Sequence, residues 1–162
     1  MLFRSMNRMG ITIIMISKGT PFFLAGEEML RSKDGDENSY ASSDAINNMR
    51  WEELVPGSDA YKMMEYYKGL IEMRNTYDIF SAESGVKIEF GATDAGSLVV
   101  TYTAENGKQA LAVINPTNVD DSYAVEGDWN LVCDGVQAGS AVLEEVSGTV
   151  SVSAGGIVVL VR

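Results

Sequence analysis

From Gly85 to the end, short runs of Val, Ile, Tyr and Thr recur every ten or so residues, separated by Gly, Asn and Asp. That pattern admits few architectures. Period-two alternation between closely spaced turn signals specifies antiparallel strands, and repeated over 85–162 it predicts a β-sandwich. The candidate strands are 86–90, 97–103, 109–115, 122–125, 129–134, 142–145, 149–152 and 157–161, with Glu105-Asn106-Gly107-Lys108 as the clearest hairpin turn. Residues before Gly85 read differently. The stretch 58–76 carries Tyr61, Met64, Tyr67, Leu70 or Ile71, and Arg74 at intervals of three and four. This spacing predicts a surface helix that turns those residues to a core, with Ser58 as its cap.

The remaining segment, 18–40, runs from Gly19-Thr20-Pro21 through the apolar Phe22-Phe23-Leu24-Ala25 to Gly26, Glu27 and Glu28, then into a polar loop. An apolar run of this length bounded by Gly and Pro predicts a short buried strand over about 20–25, with the following loop as a ligand-facing rim. Residues 32–56 form a long loop with at most a short helix around 44–50, capped by Ser43 or Asp44. Met6 to Ser17 is ambiguous in isolation: Ile11-Thr12-Ile13-Ile14 favours a strand by β-branched stiffness.

Gly19, Pro21, Gly26 and Glu28 fit the Gly-x-Pro-x-x-x-x-Gly-x-Glu pattern at the eighth barrel strand of the α-amylase superfamily, glycoside hydrolase family 13. The run from Gly19 to Asn47 resembles the loop of its type I pullulanase-like, starch-debranching members. The likeness extends from about Met6 through the long helix to the β-rich tail with Ile114-Asn115-Pro116. It implies an α+β fragment: the last strand and helices of a (β/α)8 barrel over 1–84, followed by an all-β antiparallel sandwich over 85–162. It also implies that 6–17 is the barrel helix preceding strand eight. A closed barrel of this kind takes about 250 residues, more than the 162 present. The alternative is a small self-contained α+β domain. Residues 1–5 show no likeness to the family pattern, and Leu2-Phe3-Arg4-Ser5 back-translates into the end of a common sequencing adapter, so a foreign origin is expected for them.

The chemistry open to the chain is limited. It contains no histidine, which excludes Ser-His-Asp, Cys-His and histidine-metal systems. Cys133 is the single cysteine, so no internal disulfide forms, and Leu131-Val132-Cys133 reads as a buried strand position. Asp34-Gly35-Asp36-Glu37-Asn38 resembles the start of a calcium loop, but Ser39 stands where glycine is needed and Ala45 where glutamate is needed, so no metal and no cofactor are expected. Glu27 and Glu28, as neighbours on a strand, would point to opposite faces and could not flank a glycosidic bond. Glu28 is expected instead to hold loop backbone.

No segment matches the superfamily's nucleophile, general-acid or stabiliser motifs, so catalytic residues are expected outside the chain. The resemblance makes Asp36, Asn38 and Tyr40 candidates for sugar contacts, beside the alternative that they order their own loop. Trp51 and Trp129 could stack on glucose, although large aromatics in such settings are more often core. A second function, a starch-binding module, would need exposed coplanar rings among Phe90, Tyr102, Tyr123 and Trp129, and the accessibility of those rings would separate it from a third, a structural accessory module. A net charge of −11 argues against nucleic-acid and anionic-membrane partners and does not oppose a neutral polysaccharide such as an α-glucan. The missing barrel portion is the other expected partner, with self-association through apolar surface it would otherwise cover. The 11–16 run is too short to span a bilayer. The compartment, cytoplasmic or secreted, stays open.

Overall fold

The computed structural model describes residues 2–80 and 85–162. Helix α1 (Leu2–Ile16) opens the chain, α2 (Asp44–Asn47) is a single turn within the long loop, and α3 (Asp59–Thr76) is the long helix. Six strands follow: β1 (Val86–Ala92), β2 (Leu98–Ala104), β3 (Gln109–Asn115), β4 (Asp121–Cys133), β5 (Glu144–Val152) and β6 (Gly156–Val161). All pairings are antiparallel, in the order β1-β2-β3-β6-β4-β5.

The β-branched run in α1 is helical because its apolar residues recur at helical spacing: Ile11, Met15 and Ile16 are buried against α3 and the sheet. Thr12 fits the helix by donating its hydroxyl to the Arg8 carbonyl at 2.7 Å. Ser58 caps α3 as the sequence indicates, accepting the Tyr61 N–H at 3.1 Å. The buried face is turned by about one residue from the expected stripe. Met63, Tyr66, Tyr67, Leu70 and Met73 are buried, whereas Tyr61 and Met64 are half-buried and Ile71 is exposed. At the far end Arg74 donates to the carbonyls of Met15, Ser17 and Gly19, and so caps the carboxyl end of α1 from across the helix pair.

Three expectations are corrected. The eight candidate strands are six, because Glu126-Gly127-Asp128 is a bulge inside β4, with Gly127 at φ 76°, and Ser147-Gly148 lies within β5. The sandwich of two separate sheets is a single hydrogen-bonded sheet that folds over. Val125, Trp129, Val146 and Val150 of the β4–β5 hairpin pack on Val99, Leu111, Val113 and Leu160 of β2, β3 and β6. Finally, residues 20–25 carry no strand pairing, and the apolar run is not buried: Phe22 is 86 % exposed and Leu24 58 %. No neighbouring strand among the described residues offers this segment a ladder.

The other face of the sheet is covered by the helices. Val100, Tyr102, Ala110, Ala112, Ile157 and Val159 share one core with Ile11, Met15, Tyr66, Leu70 and Met73. Gly69 sets the approach: a Cβ there would lie 1.9 Å from the Ala138 carbonyl oxygen. A hydrogen-bond chain crosses the same junction, with Tyr66 Oη 2.6 Å from Thr12 Oγ1 and 3.2 Å from Cys133 Sγ. Since Thr12 donates to Arg8, Tyr66 donates to Thr12 and accepts from the thiol. Burial pushes the Tyr66 phenol well up and the Cys133 thiol up, so both stay neutral.

Candidate functional site

The polar loop after the apolar run is organised around Gly26 and Asn47. Gly26 adopts φ 101°, in the left-handed region, and a Cβ on it would meet Arg31 Cδ at 2.4 Å, so a side chain here is strained and displaces Arg31. Its N–H donates to Glu28 Oε2 at 2.8 Å, and its carbonyl accepts from Met29 and Arg31 at 3.1 and 2.9 Å. Glu28 thus holds loop backbone, as anticipated. Its setting differs from the expected strand end: Glu27 and Glu28 open a 3₁₀ turn, Glu27–Met29. Gly19, at φ 97°, turns the chain out of α1 and presents its carbonyl to Arg74 at 2.6 Å, while Pro21 is half-buried at the start of the unpaired segment.

Asn47 draws the rest of the loop together. Its amide donates to the carbonyls of Ser39 and Ser42 at 2.8 and 3.0 Å, its side-chain oxygen accepts from Lys33, and its backbone carbonyl accepts from Arg31. Asp34 is bound to Arg50 at 2.6 Å. Asp36 accepts the Asn38 N–H at 3.0 Å and the Ser42 hydroxyl. Arg31, Asn47 and Arg50 were not distinguishable from loop composition, since the contacts that define them span 16 residues.

The three candidate sugar-contact residues therefore fall into two kinds. Asp36 orders its own loop, while Asn38 is exposed and Tyr40 is 97 % exposed, with open hydrogen-bonding and stacking faces. Trp51, in the 3₁₀ turn Trp51–Glu53, is 64 % exposed. Trp129 is core: its indole N–H donates to the Glu126 carbonyl at 3.1 Å and Arg162 stacks over the ring at 4.2 Å. Of the four sheet rings, Tyr102 and Trp129 are buried, Tyr123 is half-buried and Phe90 alone is exposed. One exposed ring does not make a coplanar sugar-binding face.

The loop carboxylates are arranged for structure rather than for cleaving a glycosidic bond. Retaining chemistry needs two carboxyl groups about 5 Å apart facing each other across the scissile bond. Here Glu28, Asp34 and Asp36 are each engaged by neighbouring loop groups. A cleft of about 370 Å³ beside them is lined by Glu27, Arg31, Asn7 and Tyr67. Burial, reinforced by the charges of Glu27 and Glu28, pushes the Tyr67 phenol up, and its hydroxyl donates to Asn7 at 3.3 Å.

No protein-family model matches the chain. Its homologues include pullulanases, glycogen debranching enzymes and an isoamylase, and its structural neighbours include pullulanases. It is 35 % identical over 86 residues to the pullulanase of Bacillus subtilis (strain 168), which covers 53 % of the chain and 12 % of the relative. It is 32 % identical over 139 residues to the glycogen debranching enzyme of Dickeya chrysanthemi, covering 75 % of the chain and 20 % of the relative. The chain thus spans a fifth or less of the length of these curated relatives. Among solved structures, the pullulanase from Bacillus acidopullulyticus superposes on 98 % of the chain with a TM-score of 0.85 at 25 % identity, over 20 % of its own length. The type I pullulanase from Bacillus subtilis str. 168, solved with maltose, gives a TM-score of 0.82 over 99 % of the chain and 23 % of its own length.

Proposed function

We propose that this chain acts as the C-terminal portion of an α-1,6-glucan debranching hydrolase. Residues 1–84 form the end of its catalytic (β/α)8 barrel, and 85–162 form its C-terminal β-domain. The observation that carries the reading is the superposition of nearly the whole chain, helices and sheet together, on a pullulanase at a TM-score of 0.85. In this reading the retaining carboxylates lie outside the chain, and the polymer is recognised by the whole enzyme. Asn38 and Tyr40 offer contacts to sugar hydroxyls and ring faces, and Asp36 holds the loop that carries them. Outside the whole enzyme, the chain self-associates through its uncovered apolar residues.

Reducing-sugar release from pullulan tests the reading. The chain alone is expected to release none, since substrate contacts without a positioned acid and nucleophile give no turnover. Joined to the preceding portion of the Bacillus subtilis pullulanase in place of that enzyme's matching segment, it is expected to support hydrolysis. A folded chimera without activity counts against the proposal. So does activity of the chain alone that disappears in Glu28→Gln or Asp36→Asn.

A further inference from the structure

A cleft of about 540 Å³ lies where α1, the start of α3 and the turn after β4 meet. Its size falls in the range of small-molecule sites, about 300–1,000 Å³. Tyr61 and Tyr66 of α3 and Val136 and Ala138 of the turn supply apolar and aromatic lining, and Arg8 of α1 and Lys62 of α3 supply positive charge.

Arg8 is the unusual member. Arg31, Arg74 and Arg162 also lack an ion pair but donate to carbonyl oxygens, whereas among the described residues Arg8 has neither a carboxylate within ion-pair distance nor a hydrogen-bonded carbonyl. Its Nε is buried with no hydrogen-bond acceptor, and its guanidinium lies over the Tyr66 ring, 5.5 Å from the centroid. Glu65, the one carboxylate among the described residues lining the cleft, is engaged by Lys68 at 2.7 Å. A guanidinium stacked on an aromatic face keeps its outer N–H groups directed in a fixed plane, the arrangement that grips carboxylate or phosphate with two parallel hydrogen bonds.

We propose that this cleft binds a small organic anion. The charged end, a carboxylate or phosphate, meets Arg8 with support from Lys62, and a flat apolar body lies along Tyr61, Val136 and Ala138. Because the lining comes from both helices and the turn after β4, occupancy ties the helix pair to the sheet. The inference does not depend on the reading of the chain as part of a debranching enzyme, and its test contains no glucan.

The test uses the full chain with benzoate and phenyl phosphate as anionic probes and benzamide as the neutral counterpart of benzoate. Binding is followed by amide chemical shifts over 57–66 and 134–138. At least one anion is expected to shift these amides saturably and to raise the melting temperature, with benzamide binding at least about tenfold more weakly. Arg8→Gln is expected to lose about tenfold or more in affinity, whereas Lys87→Gln, on the far strand β1, is expected to leave it unchanged. Should Arg8→Gln fail to fold, Arg8→Lys, which keeps the charge and loses the planar fork, is expected to bind more weakly than the parent. Equal binding of benzamide, undiminished affinity in the Arg8 variants, or no saturable shift with either anion at millimolar concentration overturns the proposal.

Discussion

Single residues decide how closely the parts of this molecule approach. Gly69→Ala places a methyl group 1.9 Å from the Ala138 carbonyl, and the opposing atom is backbone rather than a flexible side-chain end. Either α3 or the turn after β4 must move, at a cost of about 2–3 kcal/mol. Chemical denaturation is expected to show that loss, although alanine is the better helix former at an ordinary position. Asp121 is a second such residue. Its carboxylate accepts from Ser97 and Thr93 and from the Ser122 N–H, and these bonds hold its pKa below the ordinary 3.8. A carboxyl group with a depressed folded-state pKa contributes stability that is complete above its unfolded value and is lost as pH falls through the folded value. Melting temperature is therefore expected to fall as pH drops towards and below 3.8, with Asp121→Asn flattening part of that slope. A slope identical in the two proteins would remove this role from Asp121.

At the scale of elements, local signals and neighbours compete. The Ser58 cap and the hairpin turn at 105–108 were legible because each is settled within a few residues: Lys108 N–H bonds Asn106 Oδ1 at 3.1 Å and Gly107 takes φ 85°. The Gly127 turn signal was misleading because the same residue that ends a strand also permits a bulge inside one, and only the pairing of β4 with β5 and β6 selects between them. The apolar run at 20–25 reads as a strand by composition, but a strand exists only with a partner. Its amides provide a direct measure. Hydrogen exchange at Phe22 and Phe23 is expected to approach that of an open chain, while Ala112 and Val113 in the centre of β3 exchange on the slowest scale of the molecule. Protection at Phe22 comparable to that at Val113 would mean that the segment is paired in solution.

Over the whole molecule, helices and sheet share one core: the face carrying Val100, Tyr102, Ala112 and Val159 is covered by α1 and α3. Uncovered apolar side chains lie elsewhere, Phe22, Leu24, Trp51 and Phe90 among them, each more than half exposed. Apolar surface of this kind favours association. Light scattering is expected to show concentration-dependent oligomers that diminish in Phe22→Ser with Leu24→Ser, and a strictly monomeric chain that binds no hydrophobic dye would contradict this. The sequence by itself determined the mixed α and β composition, the strand-forming tail, the long helix with its cap, and the backbone role of Glu28, because period, turn chemistry and capping act over a few residues. Only the tertiary structure decided which side of α3 is buried, that eight strand signals become six strands in one folded-over sheet, that Asn47 and Arg31 gather the polar loop, and that Arg8 has no acidic partner among the described residues. Each depends on residues far apart in the chain meeting in space, and no local pattern encodes that meeting.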